Sequence, residues 1–257
     1  PAARGGRQFI VIRHAYIDKS PPLGQMATTN DTLRGLEMVR QSSITLESEC
    51  SEAERAALRD ILKNSNFTAA HMEIGTAAGG TLKELIGCYP LGQAPQFIVI
   101  DPLSYFPDQL SKIKTNLASA EIDPESVDFW QGTTETFINS DRAENLNLDF
   151  LFIDADHRHF PVLVDLAWAA KVNKGGYVCF HDDQPKFPGV GWAIRRFMSN
   201  NANFKYVTKA DSLVIIKKLD SSREVNISAW DLKVASLRQP LSRLGMSLKK
   251  RILGRKY

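Results

Sequence analysis

Two groups of acidic and imidazole side chains in the middle of the chain are the residues best suited to chemistry. They are Asp154–His157 and His181–Asp183, and each follows an apolar run directly. Carboxylate oxygens suit cations such as Mg²⁺, Mn²⁺ or Ca²⁺. A neutral imidazole with a pKa near 6.5 can take a proton from a hydroxyl. The two groups therefore predict cation binding or proton transfer, provided that the fold brings them together.

A glycine-rich turn at residues 71–81 is the second informative feature. Gly75 and Gly79 lie between an apolar strand pattern and a helical pattern. Glycine is needed where the backbone takes positive φ or where a ligand approaches the main chain closely. Such a strand, turn and helix form the nucleoside-binding corner of a doubly wound α/β sheet. Glu73 precedes the turn and Asp101 ends the next strand pattern. In the alternative interpretation the glycines serve only helix–sheet packing.

Strand and helix patterns alternate through the region that must position these residues. Continuous apolar runs such as residues 97–100 and 150–153 indicate strands buried on both faces, as in a parallel sheet. The predicted strands are Ala69–Ile74, Gln96–Ile100, Val127–Trp130, Leu148–Ile153, Gly176–Phe180, Phe204–Thr208 and Ser212–Lys217. The short turn between the last two indicates a hairpin. The sequence thus predicts an α/β, Rossmann-like, doubly wound seven-stranded sheet, mostly parallel, with a C-terminal antiparallel hairpin and helices on both faces.

The predicted helices separate the strands. The first begins after Ser51, the N-cap, and Glu54 completes a capping box. It ends near Asn64, and the others are Thr81–Gly87, Pro107–Ala120, Thr133–Ser140, Pro161–Ala170 and Gly191–Asn200. Ligands of such sheets bind beyond the carboxyl ends of the strands. The acids and histidines at the strand ends should therefore converge on one site.

The pattern Glu73-x-Gly75-x-x-x-Gly79, followed by Asp101, resembles the first two motifs of class I S-adenosylmethionine-dependent methyltransferases. The resemblance covers roughly residues 51–218. It implies that Asp101 binds the ribose hydroxyls and that Glu73 lies near the cationic part of the cofactor. The turn at residues 132–133 would border adenine. The cofactor-binding residues implied are Glu73, Gly75, Thr76, Gly79, Thr81, Asp101, Gly132, Thr133 and Asp154.

The two strand-end groups resemble those of metal-dependent small-molecule and sugar O-methyltransferases. That resemblance implies a divalent cation, Mg²⁺ or Mn²⁺, at Asp154, His181 and Asp182, with His157 as base and Asp154 also catalytic. His181 stands where an acid is usual, which favours Mn²⁺, Fe²⁺ or Zn²⁺. Asp183 is an alternative ligand. The implied reaction is methyl transfer to a hydroxyl of a small molecule or saccharide. In the structural alternative, His157 caps the following helix.

Two other classes of function stay open. His157, His181 and an aspartate could form the facial triad of a metal-dependent hydroxylase on a related fold. The chain could also be a non-catalytic, membrane-associated binding protein that keeps the fold.

Length and composition indicate the general class of the protein. The chain has 257 residues, 43% hydrophobic and 24% charged, which is typical of a soluble globular protein. It has no apolar run near the ~20 residues of a membrane span, and its three cysteines lack CxxC spacing. These features predict a cytoplasmic location. The predicted divisions are an N-terminal extension at 1–50, a candidate acceptor-site lid; a methyltransferase domain at 51–220; and a tail at 221–257.

The tail differs from the body in charge. Residues 230–257 contain eight Lys or Arg and one acid, a net charge of +7, whereas the remainder carries −4. Leucines at three- and four-residue spacing predict an amphipathic helix over 241–253. Such a basic helix suits an anionic membrane surface, here the inner face, through residues 233–257. Packing on the protein itself or on a second copy is the alternative, and a homo-oligomer is open. Nucleic acid is not expected, since no aromatic platform accompanies the basic residues.

Overall fold

The computed structural model describes residues 46–238. The strand pattern at 9–12, the loop at 20–30 and the amphipathic helix at 241–253 lie outside the described residues. Within 46–238, seven strands form one sheet in the order β3-β2-β1-β4-β5-β7-β6. The strands are β1 Ala70–Ile74, β2 Phe97–Asp101, β3 Val127–Gln131, β4 Leu148–Ile153, β5 Val172–Phe180, β6 Phe204–Ala210 and β7 Leu213–Lys218.

The first five strands are parallel, and β7 pairs antiparallel with both β5 and β6. This confirms the predicted fold class. The helices are α1 Glu52–Lys63, α2 Gly80–Ile86, α3 Gln109–Ala118, α4 Thr134–Phe137, α5 Asp141–Glu144, α6 His159–Leu166 and α7 Pro188–Asn200. Short 3₁₀ turns occupy Pro124–Ser126 and Ala167–Lys171, and residues 229–238 are helical.

Two apolar clusters hold the layers together, one on each face of the sheet. One contains Phe137, Trp168 and Phe197 and covers one face. The other contains Leu58, Leu82 and Leu117 of α1, α2 and α3. Side chains alternate between the faces of a strand, so a strand covered on both faces is apolar at every position. This explains why the apolar runs of β2 and β4 are continuous in the sequence.

Several element boundaries differ from the sequence prediction, and three of the differences are informative. The helix predicted at Thr133–Ser140 is shortened to α4, where the Ser140 hydroxyl donates to the carbonyl of Phe137, and the separate helix α5 follows it. The helix predicted at Pro161–Ala170 begins at His159 and tightens into the 3₁₀ turn after Leu166. Strand β5 begins four residues before Gly176. A Cβ on Gly176 would lie 2.7 Å from the Asp149 carbonyl oxygen, so this glycine allows close strand approach and does not end the strand.

The capping box predicted for α1 is present. The backbone N–H of Ser51 donates to Glu54 Oε2 at 2.7 Å, and the N–H of Glu54 donates to Ser51 Oγ at 3.3 Å. Among residues 46–238, no helix has both the length and the apolar character needed to cross a membrane.

Candidate active site

Four neighbouring strands deliver the predicted site residues to one edge of the sheet. In the order β2-β1-β4-β5, each strand end is hydrogen-bonded to the next. The N–H of Gly75 donates to Ile100 O at 2.9 Å, and that of Asp154 to Ile74 O at 2.9 Å. The N–H of His181 donates to Ile153 O at 3.1 Å. The structure therefore brings the ends of β1, β2, β4 and β5 together, as the sequence predicted.

The turn after β1 requires glycine at its first position. Gly75 has φ +84°, and a Cβ there would lie 2.3 Å from the carbonyl oxygen of Asp154. The backbone thus crosses the end of β4 too closely for any side chain. Gly79 has φ +78° and is the N-cap of α2. Both glycines are buried, so they are required here by the backbone conformation and by close packing.

Asp101 is held firmly beside this turn. Its Oδ2 accepts the N–H of Thr76 at 3.0 Å, and its Oδ1 accepts the N–H of Leu103 at 2.6 Å. The side-chain amide of Gln109 adds a longer contact to Oδ1 at 3.3 Å and donates to Ala77 O at 3.0 Å. A carboxylate has about four acceptor positions, so three are in use. Binding two ribose hydroxyls would displace the weakest contact, that of Gln109.

Glu73 is the most unusual acid at the site. It is 1% exposed, and its Oε2 has no hydrogen-bond partner among the described residues. Burial raises its pKa well above the ordinary value, and the negative charges of Asp154 and Asp101 act in the same direction. Thr76 Oγ1, also buried, has no aligned hydrogen bond in this part of the chain, but the Thr76 side chain lies near enough to Glu73 to oppose the rise in its pKa. Two unsatisfied polar atoms at the turn fit a polar or cationic ligand.

The other predicted cofactor residues lie further from the turn. The hydroxyl of Thr81 is 2.9 Å from Ser48 Oγ, so the segment before α1 uses it. The N–H of Gly132 donates to Asp101 O at 3.0 Å, which places β3 beside β2 at this edge. Thr133 is the N-cap of α4 and its N–H donates to Thr136 Oγ1 at 3.1 Å. The roles of Thr81, Gly132 and Thr133 in cofactor binding stay predictions.

The ends of β4 and β5 form a compact group of two carboxylates and two imidazoles, here called the strand-end cluster: Asp154, His157, His181 and Asp182. Nδ1 of His181 lies 3.1 Å from Oδ1 of Asp154 and 3.8 Å from Oδ2 of Asp182. Nε2 of His157 lies 2.9 Å from Oδ2 of Asp182 and 3.9 Å from Oδ1 of Asp154. The 2.9 Å contact is an ion pair without hydrogen-bond alignment.

The charges of the cluster are strongly coupled. Burial lowers the pKa of His157, but Asp154 and Asp182 outweigh it and raise the pKa to about 9. Burial also lowers the pKa of His181, but the contacts of its ring outweigh burial and raise the pKa, and the contact with Asp154 contributes most. Burial raises the pKa of Asp154 and of Asp182, but the histidines outweigh it, and both pKa values lie below the usual range. The sequence predicted a neutral imidazole at His157, whereas the two carboxylates of the cluster favour the protonated imidazole.

Two overlapping sets of donor atoms are each close enough for one cation, and the predicted set of Asp154, His181 and Asp182 is neither of them. Ligand atoms of Asp154, His157 and Asp182 lie within 4.8 Å of one another, and so do those of Cys50, Asp154 and His181. Mixed imidazole and carboxylate donors suit Mn²⁺, Fe²⁺ or Zn²⁺ better than Mg²⁺. The residues therefore fit a divalent cation. Asp183 is not part of this group, because its Oδ2 accepts from Lys209 Nζ at 2.6 Å.

His157 is fixed by stacking as well as by charge. Its ring lies 4.2 Å from that of Phe187, at 27° between the planes. Gly189, in the first turn of α7, packs against this loop so closely that a Cβ would lie 2.5 Å from His157 O. Asp182 has φ +63°, unusual for a residue with a side chain. The N-cap of α6 is Arg158, so His157 does not cap this helix.

Glu54 is a site residue that the sequence did not reveal. It is 2% exposed, and its Oε2 lies 3.1 Å from Nε2 of His181. Its place in the capping box of α1 was a sufficient local reason for a glutamate at this position. The contact joins positions 127 residues apart, so no local pattern could have indicated it.

Comparison with known proteins identifies the domain. A family model described as a methyltransferase domain matches residues 72–182. An uncharacterized protein of Acanthamoeba polyphaga mimivirus is 34% identical over 142 residues, which cover 53% of this chain and 62% of that protein. The chain therefore spans less than two thirds of the length of this relative.

Two similar solved structures show the fold. The apo structure of CalS11, a TDP-rhamnose 3'-O-methyltransferase of calicheamicin biosynthesis, has a TM-score of 0.51 and 17% identity, covering 63% of this chain and 76% of that one. The O-methyltransferase TomG from Streptomyces achromogenes, in complex with SAM, has a TM-score of 0.53 and 15% identity, covering 73% and 87%. Residues 72–182 thus match a methyltransferase domain, and the sheet around them has the class I methyltransferase fold.

Proposed function

We propose that this chain is an S-adenosylmethionine-dependent O-methyltransferase that acts on a hydroxyl of a small molecule or saccharide. The observation that carries the proposal is the convergence of two groups at one sheet edge. The glycine turn with Glu73 and Asp101 lies at the ends of β1 and β2, and the strand-end cluster lies at the ends of β4 and β5. A ligand at the turn would therefore lie beside groups able to bind a cation or move a proton.

The cofactor part of the proposal rests on unsatisfied groups at the turn. S-adenosylmethionine would supply the methyl group. The unpartnered, buried Oε2 of Glu73 suits the positive charge of that cofactor. Asp101 would accept from the ribose after releasing Gln109, whose contact is the longest of its three at 3.3 Å. Gly75 and Gly79 allow the left-handed backbone conformation of the turn.

The acceptor part rests on the strand-end cluster. A divalent cation, Mn²⁺ or Mg²⁺, would lower the pKa of an acceptor hydroxyl. Asp154, His181 and Asp182 would hold it. His157 would act as base once positive charge beside Asp154 and Asp182 removes the attraction that keeps its imidazole protonated. The stacked Phe187 ring would keep the imidazole in place. In this scheme Asp154 belongs to both the cofactor side and the catalytic side.

The acceptor class is proposed from the relatives. One similar structure is described as acting on TDP-rhamnose and another as a tomaymycin-synthesis enzyme. Both are described as O-methyltransferases, and the name of the first contains a sugar nucleotide, TDP-rhamnose. A saccharide or glycosylated product is therefore the preferred acceptor. In this proposal, residues 1–50 are an N-terminal extension, 51–220 the methyltransferase domain and 221–257 a tail.

Transfer of labelled methyl groups tests this function. The full chain is incubated with methyl-labelled S-adenosylmethionine and panels of sugar nucleotides, glycosides and catechols, with Mn²⁺, Mg²⁺ or a chelator. Label should enter a sugar hydroxyl, and chelator should suppress the transfer. Label in no acceptor with any cation, despite cofactor binding, would contradict the acceptor class. Transfer that is unaffected by chelator would remove the cation from the mechanism.

A metal-dependent hydroxylase remains the second candidate, because the cluster contains two imidazoles as well as carboxylates. Three donors from His157, His181 and Asp154 or Asp182 would give the composition of a facial triad. Iron-dependent oxygen consumption by the chain, without methyl transfer, would favour it. Methyl transfer supported by Mn²⁺ under nitrogen would exclude it.

Membrane attachment through residues 233–257 is proposed from the charge of the tail and the surface preceding it. Trp230 is 63% exposed and Leu237 is 66% exposed on the helical residues 229–238. Exposed apolar side chains beside basic residues suit an anionic bilayer. The full chain should sediment with phosphatidylglycerol vesicles at low salt, and much less with phosphatidylcholine vesicles. Equal sedimentation of a chain ending at residue 232 would contradict the proposal.

A further inference from the structure

Glu54 joins three separate parts of the fold at one carboxylate. Its Oε1 accepts from the N–H and the hydroxyl of Ser212, at 2.9 and 2.7 Å, in the turn between β6 and β7. Its Oε2 accepts from the N–H of Ser51 at 2.7 Å and contacts Nε2 of His181 at 3.1 Å. A helix cap alone would need only the Ser51 contact. The remaining three contacts tie α1 to the hairpin and to the end of β5.

The chemistry of these partners fixes the direction of the contact with His181. Oε1 of Glu54 accepts the N–H and the hydroxyl of Ser212, and Oε2 accepts the N–H of Ser51, so both oxygens are acceptors, as in an ionised carboxylate. An ionised carboxylate only accepts hydrogen bonds. Nε2 of His181 must therefore be the donor. The other ring nitrogen, Nδ1, is then the one directed at Asp154 Oδ1, 3.1 Å away.

A ring nitrogen facing a carboxylate at this distance needs positive charge between the two atoms. A second proton supplies it in one state, and a shared cation supplies it in the other. In the second state Nδ1 is a ligand and Nε2–H is anchored by Glu54. Carboxylates that hold the distal N–H of a ligand histidine fix the orientation of its ring and raise its basicity.

We propose that Glu54 is the positioning residue of the candidate cation site: it directs Nδ1 of His181 toward Asp154 and Asp182. The inference rests on the proposed function, because it presumes that the strand-end cluster binds a cation. It goes beyond that function, since Glu54 and Ser212 both lie outside the matched residues 72–182. Through Glu54, Ser51 at the start of α1 and His181 contact the same carboxylate oxygen.

The test compares Glu54→Gln with two matched controls in the full chain. Glu54→Gln keeps the shape and removes the charge. Glu52→Gln makes the same change two residues earlier, on a carboxylate that only pairs with Arg55 and Arg59. Ser51→Ala weakens the α1 cap without removing any atom that touches His181. Each protein is titrated with Mn²⁺ alone and, separately, with S-adenosylhomocysteine, and its Tm is recorded.

Glu54→Gln should weaken Mn²⁺ binding about 10–100-fold, the usual effect of losing such a partner. Both controls should stay within about twofold of wild type in Mn²⁺ affinity. S-adenosylhomocysteine affinity should be unchanged in all three variants. Equal Mn²⁺ affinity in Glu54→Gln and Glu52→Gln would overturn the proposal. Equal losses in Glu54→Gln and Ser51→Ala would also overturn it, because the effect would then be that of a helix cap.

A spectroscopic readout covers the case in which Glu54→Gln is too unstable to purify. Histidine ¹H–¹⁵N spectra of the wild-type chain with Zn²⁺ should show His181 bound through Nδ1, with a strongly hydrogen-bonded Nε2–H. Ligation through Nε2 would overturn the proposal. Wild type that binds S-adenosylhomocysteine but neither Mn²⁺ nor Zn²⁺ overturns this inference and leaves methyl transfer standing. Cation binding that depends on Glu54, without cofactor binding, overturns the proposed function and leaves the inference standing.

Discussion

Nδ1 of His181 and Oδ1 of Asp154 lie 3.1 Å apart at the ends of adjacent parallel strands. The register of β4 and β5 sets this distance, since Ile153 pairs with Phe180 immediately before the two residues. Because side chains alternate between the faces of a strand, a slip of one residue would turn one member of the pair away. The apolar register of the core therefore also determines the geometry of the cluster.

Removal of the His157 imidazole should impair turnover without affecting cofactor binding. We expect His157→Ala to lower kcat by about 10²–10⁴, the range for a lost general base, with S-adenosylhomocysteine affinity nearly unchanged. Steady-state kinetics with the acceptor found in the methyl-transfer screen, together with calorimetry, measures both quantities. Phe187→Leu is a matched variant that removes the stacked ring and leaves the imidazole. Its loss should be smaller, and undiminished turnover of His157→Ala would exclude the base role.

The glycine turn can be tested with two glycine-to-alanine variants of similar backbone conformation. Gly75 has φ +84° and Gly92 has φ +70°, but a Cβ on Gly92 would meet nothing within 4 Å. Both variants should lose about 1–2 kcal/mol from the left-handed backbone conformation. Gly75→Ala should lose about 1–3 kcal/mol more, because of its clash with the Asp154 carbonyl, and should no longer bind S-adenosylhomocysteine.

Chemical denaturation and calorimetry measure the two effects for each variant. Gly92→Ala with full cofactor affinity provides the control. Cofactor binding by Gly75→Ala at wild-type strength would show that the turn does not lie against the ligand.

His71 should make stability depend on pH in the acid range. Burial lowers its pKa from 6.5 in the unfolded chain to about 4 in the fold, where Nε2 lies 2.5 Å from Tyr89 Oη. Between these pH values the unfolded chain binds a proton that the folded chain excludes. The contribution is therefore fully present above pH 6.5 and is lost as pH falls toward 4, by on the order of 3 kcal/mol.

His71→Phe keeps an aromatic ring among Phe67, Phe97 and Phe150 and cannot take up the proton. Urea unfolding at pH 7.5, 6, 5 and 4.5 should show the stability gap between variant and wild type shifting in favour of the variant as pH falls. A gap that is constant with pH would contradict burial of a neutral His71.

The fold could be predicted from the sequence because the strands and helices each have a recognisable pattern of apolar and polar residues. Strands buried on both faces gave continuous apolar runs, as at Phe150–Ile153, and the carboxyl-end rule then placed Asp101, Asp154 and His181 at one edge. The capping box of α1 was also readable, since Ser51 and Glu54 stand at fixed spacing. These features depend on neighbours in the sequence or on one general rule of sheet topology.

The features that escaped prediction depend on contacts between distant segments. Glu54 was explained by its cap, and its contact with His181 needs the packing of α1 against β5. The high pKa of His157 needs two carboxylates from different strands, Asp154 and Asp182, at measured distances. The ion pair of Asp183 with Lys209 arises from the hairpin returning beside β5. Sequence spacing carries no information on any of these distances.

Titration of S-adenosylhomocysteine into the chelator-treated chain by calorimetry, repeated with Mn²⁺ or Mg²⁺ restored, tests the central claim most directly. We expect micromolar binding under both conditions, with an additional heat of cation binding that requires Asp154, His181 and Asp182. The absence of any binding of S-adenosylhomocysteine, with or without cation, would contradict it, and the glycine turn at Gly75 would then serve only the packing of α2 against the sheet.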